Sequence, residues 1–181
     1  MKITLNKLLG YVAGLLAVVA LLLPLAAAFV YRKGIAGNEI VTTYTNLYAF
    51  IFGGTYGGTV AAQGLFSGSL NGSLDGPVAL VLIGWILLVL GTLGVVAGIG
   101  LGCVKKARLG NLVFLGSALV LIIAAVLFFV SKTALVTAVF KDDANKVMKD
   151  VSLGFGPIGT GIFALLSGAC ASCVGSALLE K

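Results

Sequence analysis

The sequence predicts an all-α membrane protein, a left-handed bundle of four transmembrane helices with a small extracellular β-sheet in its first outer loop. Three observations predict it. Of 181 residues, 60% are apolar and only 10% charged, against roughly 25% charged in a soluble domain, and the mean hydropathy is +1.16. Four apolar stretches (8–30, 78–104, 112–130 and 155–179) carry no Asp, Glu, Lys or Arg in their centres. Each reaches the ~20 residues that cross a bilayer while satisfying every backbone group internally. Small residues recur along each stretch at helical spacing.

The first stretch follows Lys2 and Lys7. A basic start and Ala26-Ala27-Ala28 after Pro24 also fit a cleaved signal peptide, but the apolar run is longer than a signal core, so a retained helix is expected. Its small residues Gly10, Ala13, Ala17, Ala20, Pro24 and Ala27 follow a 3-4-3-4-3 spacing.

The first outer loop, 31–77, is long enough to carry structure. Residues 39–52 are rich in β-branched and aromatic side chains, Gly53 to Gly58 punctuate them, and 59–63 resume the pattern. That pattern predicts strand, turn, strand, with residues 67–76 as a Gly/Ser/Asn-rich return. The second span places Gly84, Gly91 and Gly98 seven apart. An inner turn, 105–111, holds Lys105, Lys106 and Arg108, a topology signal expected to rest on anionic lipid headgroups. The third span repeats Gly110, Ser117, Ala124 and Ser131. In the second outer loop, 131–154, the helix is expected to continue before turning near Asp142-Asp143, and the charges there read as a solvated face. The fourth span repeats Gly154, Gly161, Gly168 and Gly175.

A seven-residue repeat favours a left-handed supercoil, and in lipid small residues let helix backbones approach closely. Gly91, Gly98, Gly161 and Gly168 are therefore expected to face neighbouring helices. Lys and Arg are denser in the short N-terminal, inner-turn and C-terminal segments than in the outer loops, which predicts cytoplasmic termini in the cell membrane.

Several function classes lose their chemistry. The chain has no histidine, so Ser-His and Cys-His pairs are absent, and no nucleophile–base pair or metal constellation is present; no enzyme activity and no cofactor are expected. Cys103, Cys170 and Cys173 read as small packing residues. The spans lack the ionisable groups that mark conduction paths, so conduction by one copy is not expected; a pore between copies stays open.

Four spans, cytoplasmic termini, a long first outer loop with strand character and a short second one resemble the claudin-type tetraspan proteins. Asn46-Leu47-Tyr48 sits where that family has Gly-Leu-Trp, while the family's further tryptophan and paired loop cysteines have no counterpart. The resemblance implies lateral assembly in the membrane. The function expected is a structural membrane protein that self-associates into oligomers or arrays, or scaffolds a protein partner. Tyr44, Tyr48, Phe50, Phe52 and Tyr56 are its expected contacts, and 42–49 an edge for backbone pairing. The alternative is an accessory subunit or transporter-like protein handling an apolar small molecule. Membrane lipids are expected partners, and nucleic acid is not.

Overall fold

Pro24 sets the first boundary of the fold. Helix α1 (Leu5–Leu22) passes into one 3-10 turn, Leu23–Leu25, because proline offers no N–H to continue the helical ladder. In the computed structural model, which describes residues 5–35, 38–62, 65–103 and 107–176, the chain then enters strand β1 (Phe29–Ile35). The first span therefore ends earlier than the apolar run to Val30 implies, since Phe29 and Val30 pair with Tyr44 and Thr43.

Strand β2 (Asn38–Thr45) returns antiparallel to β1. Asn46, at φ 65, turns the chain into the short helix α2 (Leu47–Phe52). This corrects the strand expected through Phe52: α2 buries Leu47, Ala49, Phe50 and Ile51, and an unalternating apolar run suits a buried helical turn as well as a strand. Strands β3 (Gly54–Ala62) and β4 (Leu65–Leu74) follow. β4 occupies most of the stretch expected to be an irregular return.

Helices α3 (Ala79–Cys103) and α4 (Ala107–Phe129) come next. The turn at Val130-Ser131 is tied by Ser131 Oγ donating to Phe128 O at 2.7 Å, so the expected continuation is a separate helix, α5 (Lys132–Phe140). Lys141, at φ 46, ends it. The short α6 (Ala144–Val147), β5 (Val151–Leu153) and α7 (Phe155–Ser176) complete the described chain. It is mostly helical, and four helices are long and apolar enough to cross a membrane.

The chain divides into two compact units. The first holds Met1–Leu22, Gly84–Val126 and Gly161–Lys181 and is a helix bundle. Gly14 of α1 packs on Ile99 and Val95 of α3, Gly91 of α3 on Leu121 of α4, and Gly168 of α7 on Ala118 and Ile122 of α4. Ser167 Oγ donates to Ala13 O at 2.7 Å and closes the ring from α7 to α1. Sequential contacts run in opposite directions, so each helix lies antiparallel to its neighbours in an up-down bundle. Its interior is small and its exterior large: Ala13, Ala17, Ala20, Ala124, Ala164 and Ala171 are fully buried, whereas Leu15 is 65% and Leu119 64% exposed. In water that arrangement would waste the apolar surface; in lipid, close backbone approach is what holds helices together. Thr92 and Ser117 satisfy their hydroxyls on Leu88 O and Val113 O, each at 2.7 Å, as polar side chains in an apolar helix must.

The second unit holds Leu23–Ile83 and Leu127–Thr160. It is built on a five-stranded antiparallel sheet of order β4-β3-β2-β1-β5.

Candidate association surface

Alternation along the strands gives the sheet two unlike faces. Phe29 and Tyr31 of β1, Tyr44 of β2, Tyr56 and Val60 of β3, Leu70 of β4 and Val151 of β5 share one face by register. On this face Phe29 stacks on Tyr44 with ring centroids 4.2 Å apart. Phe50 from α2 and Phe140 from α5 close over it, at 5.9 Å and 6.4 Å from Phe29. Gly72 makes room by lying opposite Tyr56, whose ring occupies the place a Cβ would take, while at Gly58, opposite Tyr44, a Cβ would stand 2.8 Å from the backbone oxygen of Thr43. The Tyr44 phenol is pushed up to about 12, chiefly by burial and further by its neighbours Tyr56 and Tyr31.

The other face is hydroxyl-rich. Ser152, Val30, Thr43, Thr59 and Ser69 form one row across the five strands, and Thr55, Thr59, Ser69, Asn71 and Ser73 are exposed. Its charged pair, Arg32 and Glu39, stands 3.7 Å apart and well exposed, a geometry that adds little stability.

These faces redistribute the aromatic residues expected to bind a neighbour. Phe50 is fully buried and Tyr44 only 5% exposed, so neither reaches another molecule. Their apolar area is already spent on the sheet's own core. Tyr56 is half-buried and stacks on Phe50 at 5.5 Å. Tyr48 and Phe52 stack on each other one helical turn apart, at 6.0 Å, and Phe52 is 54% exposed. The segment 42–49 is not an edge either: β2 is paired on both sides, to β1 and β3.

The sheet's long open edge is β4. It follows β3 in unbroken register from Gly68↔Val60 to Leu74↔Gly54, with a shift at Val60/Ala61. The opposite edge, β5, is only three residues long. No charged residue occurs in β4, so it lacks the lysines by which exposed edges usually discourage pairing. The period-2 alternation of Leu70, Gly72 and Leu74 with Ser69, Asn71 and Ser73 was its signal in the sequence.

A methyl carbon on Gly91 would stand 2.7 Å from Leu121 Cγ, one on Gly98 3.0 Å from the Phe114 ring, and one on Gly168 3.1 Å from Ala118 O. Gly161 is buried. Arg108 is exposed in the first turn of α4, while Lys105 and Lys106 lie outside the described residues. Cys103 and Cys173 are exposed and Cys170 half-buried. Lys146 Nζ donates to Asp143 Oδ1 at 2.6 Å, which lowers the Asp143 carboxyl and raises the Lys146 ammonium. Among the described residues no three His, Cys, Asp or Glu side chains converge as metal ligands would.

The fold and this surface define a multi-helix, membrane-type protein bearing a one-sided antiparallel sheet. No protein-family model matches the chain, and no curated protein matches it.

Proposed function

We propose that the chain is a structural integral membrane protein of the cell membrane that associates laterally with copies of itself, the edge strand β4 forming the contact. The spans form a left-handed bundle, following the seven-residue repeat of small residues, with both termini in the cytoplasm. β1 to β4 lie between the first and second spans and β5 between the third and fourth. In a four-span chain with cytoplasmic termini both loops are extracellular. That placement, with strands in both outer loops, supports the claudin-type reading as well.

One observation carries the association reading: β4 presents backbone donors and acceptors along an open, uncharged edge. Such an edge gains main-chain hydrogen bonds by accepting another strand. On the hydroxyl-rich face beside it, the charged strand residues are the mutually compensating pair Arg32 and Glu39.

Lysines at the exposed positions Ser69 and Asn71 test this without touching the core. The double variant Ser69→Lys/Asn71→Lys is expected to remain monomeric in bilayer discs, where the parent chain forms higher-mass species on chemical cross-linking. A parent chain that stays monomeric at high protein-to-lipid ratio, or a double variant that associates equally, overturns the reading.

A further inference from the structure

A groove runs along the helical unit between α1 and α3. Tyr11, Gly14, Leu15 and Val18 of α1 and Val96 and Ile99 of α3 line it, and it is an open surface groove of about 410 Å³. Gly14 shapes its floor: a methyl carbon there would stand 3.2 Å from Ile99 Cδ1, so bare backbone takes the place of a side chain. Val18 and Val96, 48% and 52% exposed, are β-branched and stiff at χ1, which gives the walls a fixed form. The Tyr11 hydroxyl is the one polar side-chain atom among these six residues.

The two ends of the groove differ in charge. Lys7 precedes Tyr11 by four residues, so both project from one face of α1, and Lys7 is exposed. Gly10 lies against Ile99 and Phe114, which sets the Tyr11 end beside the C-terminal part of α3. That helix leads in sequence into Lys105, Lys106 and Arg108, and no Asp or Glu occurs in α1, α3 or α4. An apolar groove thus runs toward a cation and a phenol donor, and among the described residues of α1, α3, α4 and α7 there is no acid.

We propose that this groove holds an acyl chain of one anionic phospholipid, whose phosphate is bound by Lys7 Nζ and the Tyr11 hydroxyl. Basic clusters at the ends of membrane helices attract anionic headgroups, and charge complementarity selects this occupant. A second copy packed here about a two-fold axis would bring its own Lys7 to the same level and repel. A zwitterionic lipid would bring a cation beside Lys7. The proposal rests on the chain standing in a bilayer and is independent of pairing through β4.

The test is native mass spectrometry of the full chain released from bilayer discs of equal phosphatidylglycerol and phosphatidylcholine. The parent chain is expected to retain one phosphatidylglycerol in preference. Lys7→Gln should lower that retention about fivefold, the worth of one cation at an anionic lipid surface. Val18→Trp, which fills the groove from a half-exposed position, should abolish the preference, and Lys146→Gln should leave it unchanged. Excess soluble glycerol phosphate should displace nothing, because it lacks the chain that fills the groove. Equal retention of both lipids, displacement by glycerol phosphate, or parent-like retention by Lys7→Gln and Val18→Trp overturns the proposal. A chain that fails to enter the discs overturns the membrane reading itself.

Discussion

Tyr44 shows what one side chain commits in this protein. Its ring stacks on Phe29, tilts against Tyr56 and meets the edge of Phe140, so its phenol titrates only at about 12 instead of 10. The fold therefore favours the neutral form. This contribution is fully present below pH 10 and is lost as pH rises through about 12. Tyr44→Phe keeps the ring and removes the proton, so its alkaline unfolding midpoint, followed by near-ultraviolet circular dichroism, should lie higher than the parent's. The sequence marked Tyr44 as noteworthy and misjudged its duty. An aromatic residue in a strand serves a core or an interface equally well by composition. Phe140, some hundred positions away and half of the decision, comes to it only through the fold.

At the scale of elements, glycine separates two outcomes. Gly53 ends α2 at φ 78 and ψ 161, a region essentially closed to other residues, and a methyl there would lie 2.9 Å from the Gly76 carbonyl carbon. The neighbouring Val78 N–H donates to Phe50 O at 2.8 Å, so the approach that needs Gly53 also anchors the start of α3. Gly53→Ala should cost about 2 kcal/mol, as strain at such a position does, and lower the melting temperature. Gly116, in α4 with nothing within 4 Å of its would-be Cβ, should do the reverse: Gly116→Ala gains helix propensity of up to about 1 kcal/mol. The four long helices were legible because uncharged runs of that length admit little else. The sheet was legible in part. β2 and β3 carried β-branched and aromatic residues, whereas β1 was hidden because Phe29-Val30-Tyr31 prolongs the apolar run of α1. In the sequence α2 reads as strand because Tyr48, Phe50 and Ile51 have the composition of one. β4 is masked in the sequence because its glycines and serines are turn residues, a signal stronger than their alternation with Leu70 and Leu74.

For the whole molecule, the proposed orientation puts both ends of a four-span chain on the cytoplasmic side, the side that the density of Lys and Arg favours. Reporters fused to either terminus should both read as cytoplasmic in intact cells, while an epitope inserted after the exposed Asp142 should be reached from outside. A single reporter on the opposite side would remove the basis for an extracellular sheet.

The pairing of β1 with β5 also imposes an order in time. Phe29 to Tyr31 find partners in Val151 to Leu153, and Ala13 O meets Ser167, 154 positions later. During translation the opening segments thus stay incomplete until Ser167 has left the ribosome. A product truncated after α4 would retain three apolar helices and be insertable, yet would leave one flank of its sheet unpaired. Arrival of α7 is therefore the step that closes the ring of helices, and until then the backbone carbonyl of Ala13 waits for its hydroxyl partner.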